Sequence, residues 1–323
     1  MKNLFFSLSI LSILVLQSCI RDNEDPVAVA PFEGKIDSAN VGGGAQPNQV
    51  WYDLSSGEKI LNNRTDWDLG FYSGDSFKVI LNSSIMMAAG KIDNATNIDA
   101  VTAASVATLM TKVQVANFDP NNEQYIDDVK GDVVNGHTAI ATISAKDSDN
   151  AIYLVNMGKK IYVGDIPVGS TYTGGDARGW MKVQITRNGQ GYKIKYADIN
   201  ATTHKEYNIQ KNTSYNFSFF SMVNHQEIII QPEKDKWDLG FTVFTNVIAG
   251  AGSYIYADFV LDNILGGVGA YQVNIPTGVS GSAYYNSFTV NDVDASKLIY
   301  NDQRTIGASW RNPIGANGLE VYS

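Results

Sequence analysis

The chain has 323 residues, a net charge of −9 and only 18% charged residues. That acidic balance excludes the usual nucleic-acid binder, because phosphates are held by clustered Lys and Arg. A hydrophobic fraction of 44% supports a sizeable core, and 17 Tyr with 29 Gly point to an all-β protein of antiparallel sheets and meanders with few short helices.

The N-terminus sets the compartment. Lys2 precedes an apolar run from Leu4 to Leu16, too short to span a bilayer stably. Leu16-Gln17-Ser18-Cys19 then resembles a bacterial lipobox, in which the Cys becomes the first mature residue and carries lipid. Cys19 is the only cysteine, so a disulfide within one chain is impossible. Each buried methylene of an acyl chain adds about 0.8 kcal/mol, so several chains on one residue give lasting anchorage. Residues 1–18 therefore read as a signal peptide, and the mature protein as lipid-anchored in the outer membrane and exposed at the surface. Residues 19–48 read as a flexible tether, with Pro26, Pro31, Pro47 and the run Gly42-Gly43-Gly44.

Strand signals begin at Gln49–Leu54 and continue, after a Ser55-Ser56-Gly57 turn, in Glu58–Leu61. Trp67-Asp68-Leu69-Gly70-Phe71 comes next, then a strand at Phe77–Leu81. Residues 97–113 suggest a short helix, weakened by β-branched residues. His137–Ser144 and Ala151–Asn156 read as strands joined by the polar turn 145–150 into an antiparallel hairpin. A second hairpin spans Met181–Thr186 and Tyr192–Tyr196, with Asn188-Gly189 suited to a tight primed turn. Further strands follow at Lys205–Ile209, Tyr215–Met222 and Gln226–Gln231.

Trp237-Asp238-Leu239-Gly240-Phe241 then repeats the earlier pentapeptide. A cationic residue precedes each copy, Arg64 in the first and Lys234 in the second. The plain reading is structural: a Trp buried at a strand start, an Asp holding a turn, and a Gly where backbones approach closely. The repeat divides the chain into a first β module at 49–232 and a second at 233–323. The second ends at Val321-Tyr322-Ser323 without a turn or polar tail, which reads as a module short of a strand or two.

The lipobox, the two pentapeptides, Ser-Asp-Asn-Ala-Ile-Tyr-Leu-Val-Asn at 148–156 and Ile-Gly-Ala-Ser-Trp-Arg at 306–311 together resemble the HmuY family of Bacteroidota, most closely its long flavobacterial members. The acidic run after Cys19 is similar to surface-export signals of lipoproteins in that phylum. The resemblance implies an all-β, non-enzymatic, haemophore-like surface lipoprotein. It implies haem as cofactor, iron acquisition from host haemoproteins, and delivery to a TonB-dependent outer-membrane receptor. Members of the family hold haem iron with paired His or paired Met. No His, Met or Cys follows His225, so that pair cannot be carried into the second module. The first module offers His137 and Met157, which the expected hairpin would set near one end of two neighbouring strands. The plainer alternatives are a loop-edge imidazole for His137 and core packing for Met157. No metal other than haem iron is indicated.

Two other classes stay in play. A structural or carbohydrate-binding surface lipoprotein could use Trp51, Trp180 and Trp310 as stacking platforms. An enzyme lacks support: no HExxH, no Gly-x-Ser-x-Gly and no spaced Cys/His set occurs.

Overall fold

The computed structural model describes residues 37–315 and 318–321. The signal peptide, Cys19 and the tether up to residue 36 lie outside the described residues. Among the described residues there are fifteen strands: β1 (Asn48–Tyr52), β2 (Lys59–Asn63), β3 (Leu69–Tyr72), β4 (Val79–Leu81), β5 (Ala88–Lys91), β6 (Ile152–Asn156), β7 (Trp180–Asn188), β8 (Gly191–Asp198), β9 (Lys205–Ile209), β10 (Phe217–Ser221), β11 (Gln226–Ile228), β12 (Leu239–Ile248), β13 (Gly252–Asp262), β14 (Arg311–Gly315) and β15 (Gly318–Val321). Two short helices, α1 (Ala107–Met110) and α2 (Gly281–Ser287), accompany several 3₁₀ turns. The all-β class and its antiparallel pairing are as the sequence predicts.

The strands form sheet I in the order β13-β12-β1-β2, sheet II in the order β11-β10-β3-β4, sheet III in the order β5-β6-β7-β8-β9, and the hairpin β14-β15. Alternation along the strands explains the layering, since successive side chains face opposite sides. Leu69 and Phe71 of β3 and Phe220 of β10 pack against Val155, Val183 and Ile194 of sheet III. Trp67, Phe217 and Phe219 face the other way and meet Trp51 and Trp237 of sheet I. Sheet II is thus buried on both faces. The outer face of sheet III, with Ile152 and Leu154, is covered by the 92–126 segment through Ile98, Val106 and Val113. The helix predicted over 97–113 is mostly 3₁₀ turns, with one turn of α-helix at α1.

The hydrogen bonds cut across the boundary expected at 232/233. β1, which precedes the first pentapeptide, pairs with β12, which carries the second. β10 pairs with β3, which carries the first. Several bonds around the two copies match. The Asp68 N–H donates to the Phe220 carbonyl at 3.0 Å, and the Asp238 N–H to that of Tyr52 at 2.8 Å. Asn82 Nδ2 donates to the Arg64 and Trp67 carbonyls, and Asn263 Nδ2 to those of Lys234 and Trp237. Trp67 meets Phe219 edge-on at 4.7 Å, and Trp237 meets Trp51 edge-on at 4.8 Å.

Register explains the glycines. Phe219 lies opposite Gly70, and Trp51 opposite Gly240. A Cβ on Gly240 would stand 2.6 Å from the Trp51 ring, and one on Gly70 would meet Ile80 at 2.8 Å. Any side chain at either site would push the aromatic layer apart. Trp67 and Trp237 are 5% and 6% exposed, both just before a strand.

Three local expectations change. Packing begins upstream of residue 49: Asn48 donates to the Val41 carbonyl, and the Arg64 guanidinium takes the carbonyls of Ala45 and Gln46. The 180s hairpin turns one residue later than Asn188-Gly189. Asn188 pairs with Gly191, and Gly189 holds the positive φ of +59°. The strand expected at 137–144 does not form. Only Ile140 bridges, to Val79 of sheet II, while β6 has both edges occupied by β5 and β7.

Candidate functional site

Sheets I and II enclose a cavity of about 110 Å³. Its walls carry the aromatic layer of Trp51, Trp67, Trp237 and Phe219, together with Gln231 and Asp262. A recess of about 300 Å³ lies beside it. The two share residues 126–129 and His137 as a common wall.

That wall is built by backbone capture. The Asp127 carboxylate accepts from Leu81 N at 2.6 Å and from Ala139 N at 2.9 Å, tying the segment after His137 to the edge of sheet II. Burial pushes Asp127 up to about 6, opposed by those two amides and by the charges of His137 and Lys78. The Asp128 N–H donates to the His137 carbonyl at 3.1 Å. His137 is exposed, and its Nε2 stands 3.1 Å from the Ile126 carbonyl. A carbonyl only accepts, so the ring donates through Nε2. An N–H to carbonyl bond of this kind orients an imidazole as a metal ligand.

Met157 is placed otherwise. It is 1% exposed and packs in the core between sheets II and III with Ile85, Met87 and Val155. Its N–H donates to the Gly179 carbonyl, and its own carbonyl accepts from Arg178 Nη1. The missing hairpin is why the expected pair separates. His137 belongs to the wall of the cavity between sheets I and II, Met157 to the neighbouring core. Of the aromatic platforms, Trp51 lines the cavity. Trp180 packs against the outer cover of sheet III, and Trp310 donates to the Asp258 carbonyl at 3.1 Å, so the three do not converge.

The pentapeptide carboxylates also differ in surroundings. Asp68 is fully buried, with Arg178 Nη2 at 2.7 Å and Met222 N at 2.7 Å. Asp238 accepts from Leu54 N at 2.7 Å near the surface.

Sequence reading missed Asn82 and Asn263, which fasten each pentapeptide from below. Their distances from the pentapeptides differ because β12 and β13 are longer than β3 and β4, so no fixed spacing marked them. Asp127, which adjacent acids in a sequence would suggest is solvated, has a buried carboxyl group, and Asp262 was missed; the burial of both depends on tertiary packing. No cluster of three or more His, Cys, Asp or Glu able to hold a metal ion occurs among the described residues.

No curated protein and no solved structure matches the chain. The HmuY protein family matches residues 45–212, more than half of the sequence, spanning the first pentapeptide and ending before the second. It is a family of haem-binding, non-enzymatic surface proteins. On that match, the chain belongs to the HmuY family.

Proposed function

We propose that this chain is a lipid-anchored surface protein that binds haem or a related porphyrin for iron acquisition, without catalytic turnover. Family membership over more than half of the sequence carries the reading. The geometry of His137 supports it: an exposed imidazole, oriented by the bond from Nε2 to the Ile126 carbonyl. Haem iron takes a neutral imidazole as axial ligand. Known ligand pockets run from about 300 Å³ upward. The recess beside His137, at about 300 Å³, stands at the lower end of that range, and the inner cavity falls below it. The residues present therefore fit one axial ligand, His137, at the outer recess. Met157 would serve only if the core between sheets II and III opened. A TonB-dependent outer-membrane receptor and host haemoproteins are the partners this reading implies. It also treats residues 233–323 as a second module on the plan of the first.

A haemin titration of the full chain, followed at the Soret band, tests the function. We expect a saturable shift, weakened roughly tenfold or more in His137→Ala and unchanged in Met157→Leu. Wild-type affinity in His137→Ala would remove His137 as ligand. No saturable shift in the wild type would remove haem and leave the structural or carbohydrate-binding surface lipoprotein.

Anchorage has its own test. Cys19→Ala is expected to move the protein from the membrane fraction to the soluble one. Equal outer-membrane recovery of both forms would mean that lipid on Cys19 is not the anchor.

A further inference from the structure

Between β6 and β7 the chain leaves sheet III as a finger, residues 158–178. Its stem is a short antiparallel ladder. The Lys160 N–H donates to the Asp176 carbonyl and the Gly175 N–H to that of Lys160, both at 2.8 Å, and Lys159 bridges Ala177. The Lys159 N–H also donates to the Ile85 carbonyl at 2.8 Å, which fixes the stem to the body. A turn from Pro167 to Ser170 closes the tip, with the Ser170 N–H on the Pro167 carbonyl and Gly169 at a φ of +81°. That φ suits glycine at the third position of the turn and leaves Val168, at the second, at its outer corner.

The tip is apolar. Val163 and Val168 are 97% and 105% exposed, the two most exposed large apolar side chains among the described residues. Tyr162, Ile166 and Tyr172 accompany them, and from 161 to 175 the only charged residue is Asp165. The Tyr162 and Tyr172 rings stack with centroids 4.9 Å apart. A single exposed apolar residue means little, whereas a group of them on one projecting loop marks a surface that is covered in use.

The place of the finger in the fold indicates what covers it. The compact fold begins at Ala39. Five residues later Gly44 lies against the finger. Its carbonyl accepts from the Tyr172 N–H at 3.0 Å, and a Cβ on it would stand 2.8 Å from Ile166 Cγ2. Arg64 Nη2 joins the two segments, donating at 3.1 Å to the carbonyls of Ala45 and Thr173. Five residues span at most about 18 Å, so the chain enters the fold beside the finger. Cys19 precedes Ala39 by 20 residues, at most about 70 Å of extended chain, so lipid on Cys19 keeps that entry point close to a bilayer.

The side chains suit the boundary between headgroups and acyl chains. Valines gain from leaving water, and tyrosines keep their hydroxyls among the headgroups. The exposed Lys160 on the stem can meet lipid phosphate, with Asp176 beside it. Asp165 limits the depth, because a carboxylate is costly to bury in hydrocarbon. We propose that the finger docks on the bilayer that carries the anchor, inserting Val163 and Val168 at the headgroup boundary and so fixing which face of the body points outward. This rests on the lipid anchor at Cys19 and adds an orientation to it.

The full-length lipoprotein, reconstituted in vesicles of phosphatidylethanolamine and phosphatidylglycerol, tests the docking. Acylated Cys19 has no free thiol, so Val168→Cys accepts a single environment-sensitive label. Lys146→Cys, in the exposed turn at the other end of β6, is the control. We expect a blue shift and quenching by brominated lipid at position 168 and neither at 146. Val163→Asp should cut the quenching at 168 several-fold, and Asp165→Asn should raise it. Both positions are exposed, so neither change threatens the fold. Equal signals at 168 and 146, or quenching indifferent to Val163→Asp, would overturn the proposal and leave the tip to a protein partner. Vesicle flotation reads the anchor separately. A chain that floats without quenching at 168 keeps the anchor and refutes the docking. A chain that does not float refutes the anchor and the docking that rests on it.

Discussion

Asp68→Ala is expected to cost about 3–5 kcal/mol of folding stability, against about 1 kcal/mol for Asp238→Ala in the identical pentapeptide. The difference lies in what each carboxylate meets. Asp68 is fully buried and takes Arg178 Nη2 at 2.7 Å, in an ion pair whose side chains are 8% and 0% exposed. It also accepts from the Met222 N–H at the end of β10. Removing it leaves a guanidinium buried without a counter-charge and a backbone N–H without an acceptor. Asp238 holds only the Leu54 N–H, where water can replace it. Urea denaturation of the two variants at neutral pH measures the contrast, and equal losses would refute it. The double variant Asp68→Leu/Arg178→Met removes both charges together and should recover part of the loss.

The repeated pentapeptide was legible in the sequence as a structural device, and its Trp, Asp and Gly each do what their chemistry suggested. The pairing was not legible. Nothing in the alternation of β1 or β10 states that each hairpin crosses to the strand of the other copy. Period two identifies a buried face but not the partner behind it. The same limit explains 137–144. Its alternating residues satisfy the strand pattern, yet Asp127 captures the Ala139 N–H and Ile140 packs beside Val79, so the segment follows sheet II and never meets β6.

The site was legible only in outline. His137 could be singled out because few imidazoles are present, but its orientation depends on the Ile126 carbonyl, eleven residues upstream. Met157 fits the apolar alternation of β6 equally well as core or as ligand, and only the stacking of sheets II and III places it in the core. The inner cavity was invisible for a different reason. Trp237 Nε1 lacks the acceptor that Gln49 gives Trp67, because Phe217 stands at the matching position. Those positions align only after the register of β1 with β12 and of β10 with β3 is known.

The cation before each pentapeptide gives the second contrast. Arg64→Met is expected to destabilise the fold by about 4 kcal/mol or more, whereas Lys234→Met should stay within about 0.5 kcal/mol of wild type. Arg64 is fully buried, and its guanidinium has backbone carbonyls rather than a carboxylate as its partners. Nε donates to Gln46, Nη1 to Ser84, and Nη2 to Ala45 and Thr173. Burial draws its pKa down to about 10, still far enough above neutrality for the charge to remain. Four carbonyls from three separate segments thus converge on one planar fork. Methionine matches the bulk but leaves all four without a donor. Lysine keeps the charge but has three donors on a point-like head, so Arg64→Lys should lie between, at about 2–3 kcal/mol. Lys234 is exposed, so its ammonium is already hydrated. The loss in Arg64→Met should also be local. Amide exchange should quicken first around residues 41–48 and near Thr173, the segments this side chain ties to the turn at Ser84. Denaturant midpoints and exchange rates measured on the Arg64→Met and Lys234→Met chains decide the matter. Equal stability in the two would show that the buried fork is not what fastens the chain ahead of β1.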